Sequence, residues 1–204
     1  MMMFWKAGLV LLAVPKTGTQ AYEAALSDRA DMVIRHPTGF KHMTAQRFNR
    51  KLRPLLPEPE STPLETVAVI RAPIDWLGSW FRYRGRPQLD GQANSTSGLV
   101  FDEFVTGYLM DTPPPWARIG SQYSFVTGKG GRILVDHLFP YEDQDGLRAF
   151  LSRRLGRDVP QPDRRNVSPA RSLILSPKIE ARLRAERAQE FALHQSVSAG
   201  SASG

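Results

Sequence analysis

The stretch Leu9–Leu26, LVLLAVPKTGTQAYEAAL, decides the fold. Its first six residues, Leu9 to Val14, are apolar without alternation. That pattern predicts a strand buried on both faces of a sheet. The run stops at Pro15-Lys16-Thr17-Gly18-Thr19, and Thr19–Leu26 then reads as a helix start. A strand, a glycine-containing turn and a helix form an arrangement that binds phosphate. The turn's N–H groups converge, and the helix N-terminus adds partial positive charge. Gly18 lets the backbone come close to a ligand. Thr17 and Thr19 offer hydroxyls, the amides of Thr17 to Gln20 offer N–H groups, and Lys16 places a full charge at the entrance. This is not a Walker A loop, in which the lysine follows the last glycine, so an ATP-dependent kinase fits poorly. Taken alone, an ordinary βα turn with a solvated lysine accounts for PKTGT equally well.

Working outward, Thr66–Arg71 (TVAVIR) is a second buried strand, with Asp75 as the expected N-cap of the following helix, WLGSWFRYR. Arg71 stands at the strand's C-terminal end, and Ser79 lies about two helical turns further on. In a parallel sheet both loops open on one edge, where ligands bind. An arginine fork and a serine hydroxyl there suit a second phosphate, with Arg82 and Arg84 adding charge. A surface arginine and a serine facing a neighbouring helix is the plainer alternative.

Further strands are expected at Met32–Arg35 and at Arg132–Val135 (RILV). Helices are expected at Thr44–Leu52, Phe101–Met110, Asp143–Leu155 (closed by Gly156) and from Ser176-Pro177 to about His194. Phe101, Phe104, Val105 and Tyr108 share one helix face. The loop Gly85–Gly98 is long, polar and Gly/Asn/Ser-rich, the sort that often carries function. Strands separated by helices give an α/β domain with a mainly parallel sheet.

The 204 residues suffice for one core, expected over 1–194, with the Ser/Gly/Ala-rich 195–204 as a disordered tail. With Cys 0, disulfides and thiolate metal sites are excluded, which fits a cytoplasmic location. Lys+Arg 27 against Asp+Glu 20 favours anionic partners, or simply a basic solvated surface. The N-terminal MMMFWKAGLVLLAV is too short for a transmembrane helix and lacks a basic region before its apolar run, so it reads as core strand with no stable membrane insertion. The segment Gly146–Arg187, rich in arginine, reads as solvated helix faces, an acidic-substrate face or a lid.

Together the two loops resemble the sulfotransferase family. P-K-T-G-T is similar to that family's loop for the 5′-phosphosulfate of 3′-phosphoadenosine 5′-phosphosulfate (PAPS). R-A-P-I-D-W-L-G-S is similar to its 3′-phosphate element, R-x-P-x-D-x-x-x-S. Lys41-His42-Met43-Thr44-Ala45 resembles a K-H-x-T-A segment of bacterial and carbohydrate-type members, and Phe101-Asp102-Glu103-Phe104 an F-x-E-F helix start. Gln122, RILVD, Tyr141-Glu142, Asn166-Val167-Ser168 and Glu190-Phe191 resemble later elements, so the likeness spans roughly 9–193. Gln20 stands where many members have Thr or Ser, and Ala72 where Asn or Asp is usual.

The resemblance implies a P-loop-like three-layer αβα fold and sulfuryl transfer from PAPS, as co-substrate, to a hydroxyl or amine of a small-molecule or saccharide acceptor. It implies that Lys16 neutralises the leaving phosphate, that the amides of Thr17, Gly18, Thr19 and Gln20 hold the 5′-phosphate, and that Arg71 and Ser79 hold the 3′-phosphate. No metal or nucleic acid is called for. Among His36, His42, His137 and His194, His42 is the expected general base from its place in K-H-x-T-A, with His36 second. The alternative from another class is a non-catalytic nucleotide- or nucleic-acid-binding protein using the same basic edge. The sequence sets neither the acceptor nor the oligomeric state.

Overall fold

Five short strands form one sheet in the order β3-β1-β2-β4-β5. They are β1 (Met2–Phe4), β2 (Leu9–Leu11), β3 (Met32–Val33), β4 (Glu65–Ile70) and β5 (His137–Pro140). The structure is a computed structural model describing residues 1–57, 63–162 and 171–201; the Asn166–Ser168 element lies outside these. β2 pairs with β4 and β4 with β5 in parallel, while β1 runs antiparallel to both β2 and β3. Only β1 opposes the common direction, so the fold is α/β with a mixed, mostly parallel open sheet.

Side chains alternate across this sheet. Met2, Phe4, Leu9, Leu11, Val67 and Val69 point to one face. There they meet Tyr22 and Leu26 of α1 (Thr19–Leu26) and Leu147 and Leu151 of the Gln144–Leu155 helix. Val10, Leu12, Val14, Ala68 and Ile70 point to the other face. They are covered by Ala45 of α3 (Ala45–Arg47), which follows α2 (Thr38–Lys41), by Phe48 of the π turn Phe48–Leu52, and by Phe125 and Leu193. Burial on both sides explains the unbroken apolar runs of β2 and β4.

A third cluster sits beside the sheet. Trp76, Leu77 and Phe81 of α4 (Pro73–Arg84) pack with Phe101, Phe104, Val105 and Tyr108 of α5 (Phe101–Tyr108), the face expected from the sequence. The chain continues through α6 (Gln122–Val126), α7 (Gln144–Leu155), α8 (Pro177–Glu186) and α9 (Ala188–Ser201). α7 begins at the Asp143 cap, whose carboxylate accepts the Gly146 N–H at 2.8 Å, and ends on left-handed Gly156, as expected.

Four expectations are corrected. The N-terminal run is a hairpin rather than one strand: the chain turns through Trp5–Gly8, with the Gly8 N–H on Trp5 O at 2.9 Å. RILV is not the third long strand. Ile133 makes only an isolated bridge to Thr127, and the Leu134 N–H goes to Val126 O at 2.8 Å. Sheet pairing starts after Asp136, whose carboxylate caps β4 by accepting the Thr66 N–H and hydroxyl at 2.7 and 2.8 Å. β5 is an edge strand, where Pro140 needs no ladder N–H. Asp75 is not the α4 cap; Ala72 is, with Pro73 opening the helix, because Asp75 is drawn to Arg71. Finally, the C-terminal helix does not end near His194: α9 runs to Ser201, so residues 195–201 of the expected tail are helical, and Val197 packs on the sheet cluster.

Because β2 and β4 are neighbours and parallel, the loops that follow them emerge on one edge of the sheet. α1 and α4 both begin there.

Candidate active site

Three contacts clamp the loop after β2. The Thr17 hydroxyl, 1% exposed, donates to Val14 O at 2.9 Å. The Trp76 indole N–H of α4 donates to Pro15 O at 2.8 Å, tying the first loop to the second unit. Tyr141, just past β5, lies against Gly18: a Cβ there would sit 3.1 Å from the ring edge. Gly18 also takes φ +76°, so this position needs glycine for both shape and space. As the cap of α1 it precedes N–H groups that have no intrahelical acceptor.

Lys16 is held at a threefold cost. Its φ of 67° is left-handed, which costs a non-glycine residue about 1 kcal/mol. Burial pushes its ammonium from 10.5 down to about 8, and the charges of Arg86, Arg71 and Arg82 push the same way. Among the described residues no carboxylate lies within ion-pair distance of it. A cation–π contact compensates in part, Nζ standing 4.2 Å from the Tyr83 ring centroid and 5.9 Å from that of Trp80. Strain, desolvation and like-charge crowding thus converge on one side chain.

Arg71 faces the same place. Its backbone is gripped by Gln122 of α6, which accepts the Arg71 N–H and donates to Arg71 O, both at 2.8 Å. Its guanidinium lies 4.4 Å over the Tyr141 ring, the same ring that closes on Gly18. Its Nε holds the Asp75 carboxylate at 2.5 Å. Ser79, partly buried, shares an α4 face with Arg82 and Tyr83 through its i, i+3, i+4 spacing. The structure thus brings Lys16, Gly18, Arg71 and the Ser79 face of α4 to one rim. Thr19 is partly buried and Gln20 exposed at the start of α1, while the Thr17 side chain points into the turn.

The expected contribution of Arg84 is corrected: it is 9% exposed and donates to Pro115 O and Arg118 O, so it braces α4 instead. Arg86 joins the cationic rim in its place. Much of the arginine of Gly146–Arg187 is likewise committed, Arg182 to Glu186, Arg184 to Glu180 and Arg171 to Leu99 O and Thr96 O.

His42 approaches the loop from the other flank. It follows α2, and its Nδ1–H donates to Ala13 O at 2.7 Å. A carbonyl only accepts, so this bond fixes the tautomer and leaves the Nε2 lone pair. Burial holds the ring below the usual histidine range, which keeps it neutral at pH 7. Beside it opens a cavity of about 190 Å³ that also touches Pro15, Trp76 and Gln122. His36 is exposed, Lys41 is tied to Glu23 at 2.9 Å, and His194 and the Ala72 N–H converge on Glu142 at 2.9 and 3.0 Å.

Tyr83, Tyr141, Trp76 and Gln122 also shape the site. In the sequence Gln122 and Tyr141 stand only as later elements of the resemblance, with no role there, and Tyr83 carries a local signal, four residues after Ser79 on the same helix face. Gln122→Leu is expected to destabilise the fold by ~1–3 kcal/mol, since two Arg71 backbone groups lose their partner. Denaturant unfolding measures this, and a variant as stable as wild type would count against the clamp.

Among the described residues no helix is long and apolar enough to cross a membrane. No family model, curated protein or solved structure matches this chain.

Proposed function

We propose that the protein is a PAPS-dependent sulfotransferase, built on a P-loop-like three-layer arrangement, that moves a sulfuryl group to an acceptor hydroxyl or amine. The observation that carries this reading is the desolvated Lys16, crowded by Arg71, Arg82 and Arg86 where two parallel βα loops meet. A polyanion with phosphates at both ends of an adenosine relieves that crowding from both loops at once.

The donor supplies the sulfuryl group on a phosphosulfate. Lys16 and the first N–H groups of α1 stabilise the negative charge left on the departing phosphate. Arg71, steered by Gln122 and by Tyr141, holds the 3′-phosphate with Ser79, and fixes the adenosine end. To take this load Arg71 exchanges Asp75 for phosphate, or shares the two. His42 accepts the acceptor's proton on Nε2 as the new oxygen–sulfur bond forms.

Incubation with ³⁵S-labelled PAPS and a pooled set of alcohols, phenols, amines and glycans tests the proposal. Label appearing on an acceptor, and absent with Lys16→Ala, supports it. Binding of 3′,5′-ADP with no transfer to any member of the pool would favour the non-catalytic nucleotide-binding alternative.

A further inference from the structure

The cavity beside His42 has a lining that speaks to the acceptor. Its polar groups are His42, Thr44, Ser121, Gln122 and Ser124. Each is already engaged by the fold, Gln122 at both ends of its amide and Ser121 by the Ser124 N–H and by Glu190, so what a ligand meets is the remaining capacity. The Thr44 oxygen accepts the Arg47 N–H and keeps its own O–H to give. Gln122 has one N–H beyond the one that Arg71 O takes. Ser124 gives its O–H to Ser121 O and keeps lone pairs, and His42 keeps the Nε2 lone pair. Donors and acceptors are therefore interleaved around one small space. A hydroxyl, which donates and accepts, matches such a set; a carboxylate, phosphate or sulfate only accepts, and an ammonium only donates.

Charge argues the same way. Among the described residues, no lysine, arginine, aspartate or glutamate lines the cavity. The basic residues nearest in sequence to His42 and Thr44 are committed elsewhere: Lys41 to Glu23, and Arg47 to Gly39 O and the Phe40 ring. An anionic acceptor would enter with no counter-ion in the lining and with the Glu190 carboxyl behind Ser121, and its desolvation would go uncompensated. The remaining wall is apolar, with Trp76, Ile119 and Phe125 offering a surface to ring carbons. At about 190 Å³ the cavity exceeds the ~150 Å³ that accommodates benzene, so it holds one six-membered ring with substituents.

Resting on the donor reading above, we infer that the acceptor is an uncharged, polyhydroxylated single ring, of monosaccharide size, seated in this cavity with one hydroxyl at His42 Nε2. The donor rim is built for anions and the acceptor cavity for a neutral molecule, with Pro15 and Gln122 shared between them.

Saturation-transfer NMR on the full chain, with and without 3′,5′-ADP, tests this using methyl α-glucopyranoside, methyl α-glucuronide, glucose 6-phosphate and 4-nitrophenol. The neutral glycoside is expected to bind best. Ile119→Trp, which fills the apolar wall, is expected to weaken it by about tenfold or more while leaving 3′,5′-ADP affinity unchanged. Should Ile119→Trp fail to fold, Ser124→Tyr at the exposed rim blocks the same space. Equal or tighter binding of the glucuronide, the sugar phosphate or the phenol overturns the inference, as does a glycoside signal indifferent to the blocking variant. Failure to bind 3′,5′-ADP would instead strike the donor reading, because the glycoside signal is also read without nucleotide.

Discussion

Lys16→Met is expected to lower sulfuryl transfer by about 10²–10³-fold and to raise the melting temperature of the ligand-free protein. The first effect follows from removing the cation that meets charge developing on the leaving phosphate, a loss comparable to deleting an oxyanion-hole donor. The second follows from what the fold bears to keep that cation. Holding the ammonium at about 8 rather than 10.5 costs on the order of 3 kcal/mol at neutral pH. The lost Tyr83 contact offsets ~1 kcal/mol of the gain. About 2 kcal/mol remains, or roughly 4–8 °C for a chain of this size. Between pH 8 and 10.5 the unfolded chain binds more protons than the folded one, so stability rises with pH in that window. The penalty is thus full below pH 8 and gone above about 10.5, and the advantage of Lys16→Met fades over the same interval. Differential scanning fluorimetry at pH 7 and pH 10 reads it. A destabilised Met variant, or one with wild-type transfer, contradicts the role given to Lys16.

His42→Asn is expected to cost about 10²–10⁴-fold in transfer with little change in stability. The asparagine amide replaces Nδ1 as donor to Ala13 O, so the loop contact survives while the Nε2 base is removed. The pH profile separates base from scaffold. In wild type, kcat/KM for the donor falls in acid as His42 protonates, below its ordinary range, and falls in alkali as free Lys16 deprotonates near 8. His42→Asn erases the acid limb, and Lys16→Arg erases the alkaline one. Unchanged turnover in His42→Asn would remove this histidine from the chemistry.

The paired units were legible because each is a continuous apolar run that ends in a turn and a helix: Leu9–Val14 into α1, and Thr66–Ile70 into α4. Local chemistry also marked α7, with Asp143 at one end and Gly156 at the other. What escaped was decided at long range. RILV looks more like a strand than HLFP, yet Thr66 captures Asp136 and sets the register one step later. The turn at Lys6–Gly8 hides inside an apolar stretch, so the hairpin reads as one strand. A lysine with positive φ leaves no trace in sequence, and neither does the choice of Tyr141 to close on Gly18. That Lys16 and Arg71 follow neighbouring parallel strands on one edge of the sheet was legible in the two matching strand–turn–helix runs. Arg84 was misplaced because adjacent arginines on a helix look alike until one meets the carbonyls of Pro115 and Arg118.

Isothermal titration of 3′,5′-ADP, 5′-ADP and ATP into wild type and Arg71→Ala asks most directly whether both loops grip one nucleotide. Wild type should favour 3′,5′-ADP by about tenfold or more, and Arg71→Ala should lose that preference while keeping weak binding through Lys16. Indifference of wild type to the three nucleotides, or a preference that survives in Arg71→Ala, would contradict the account.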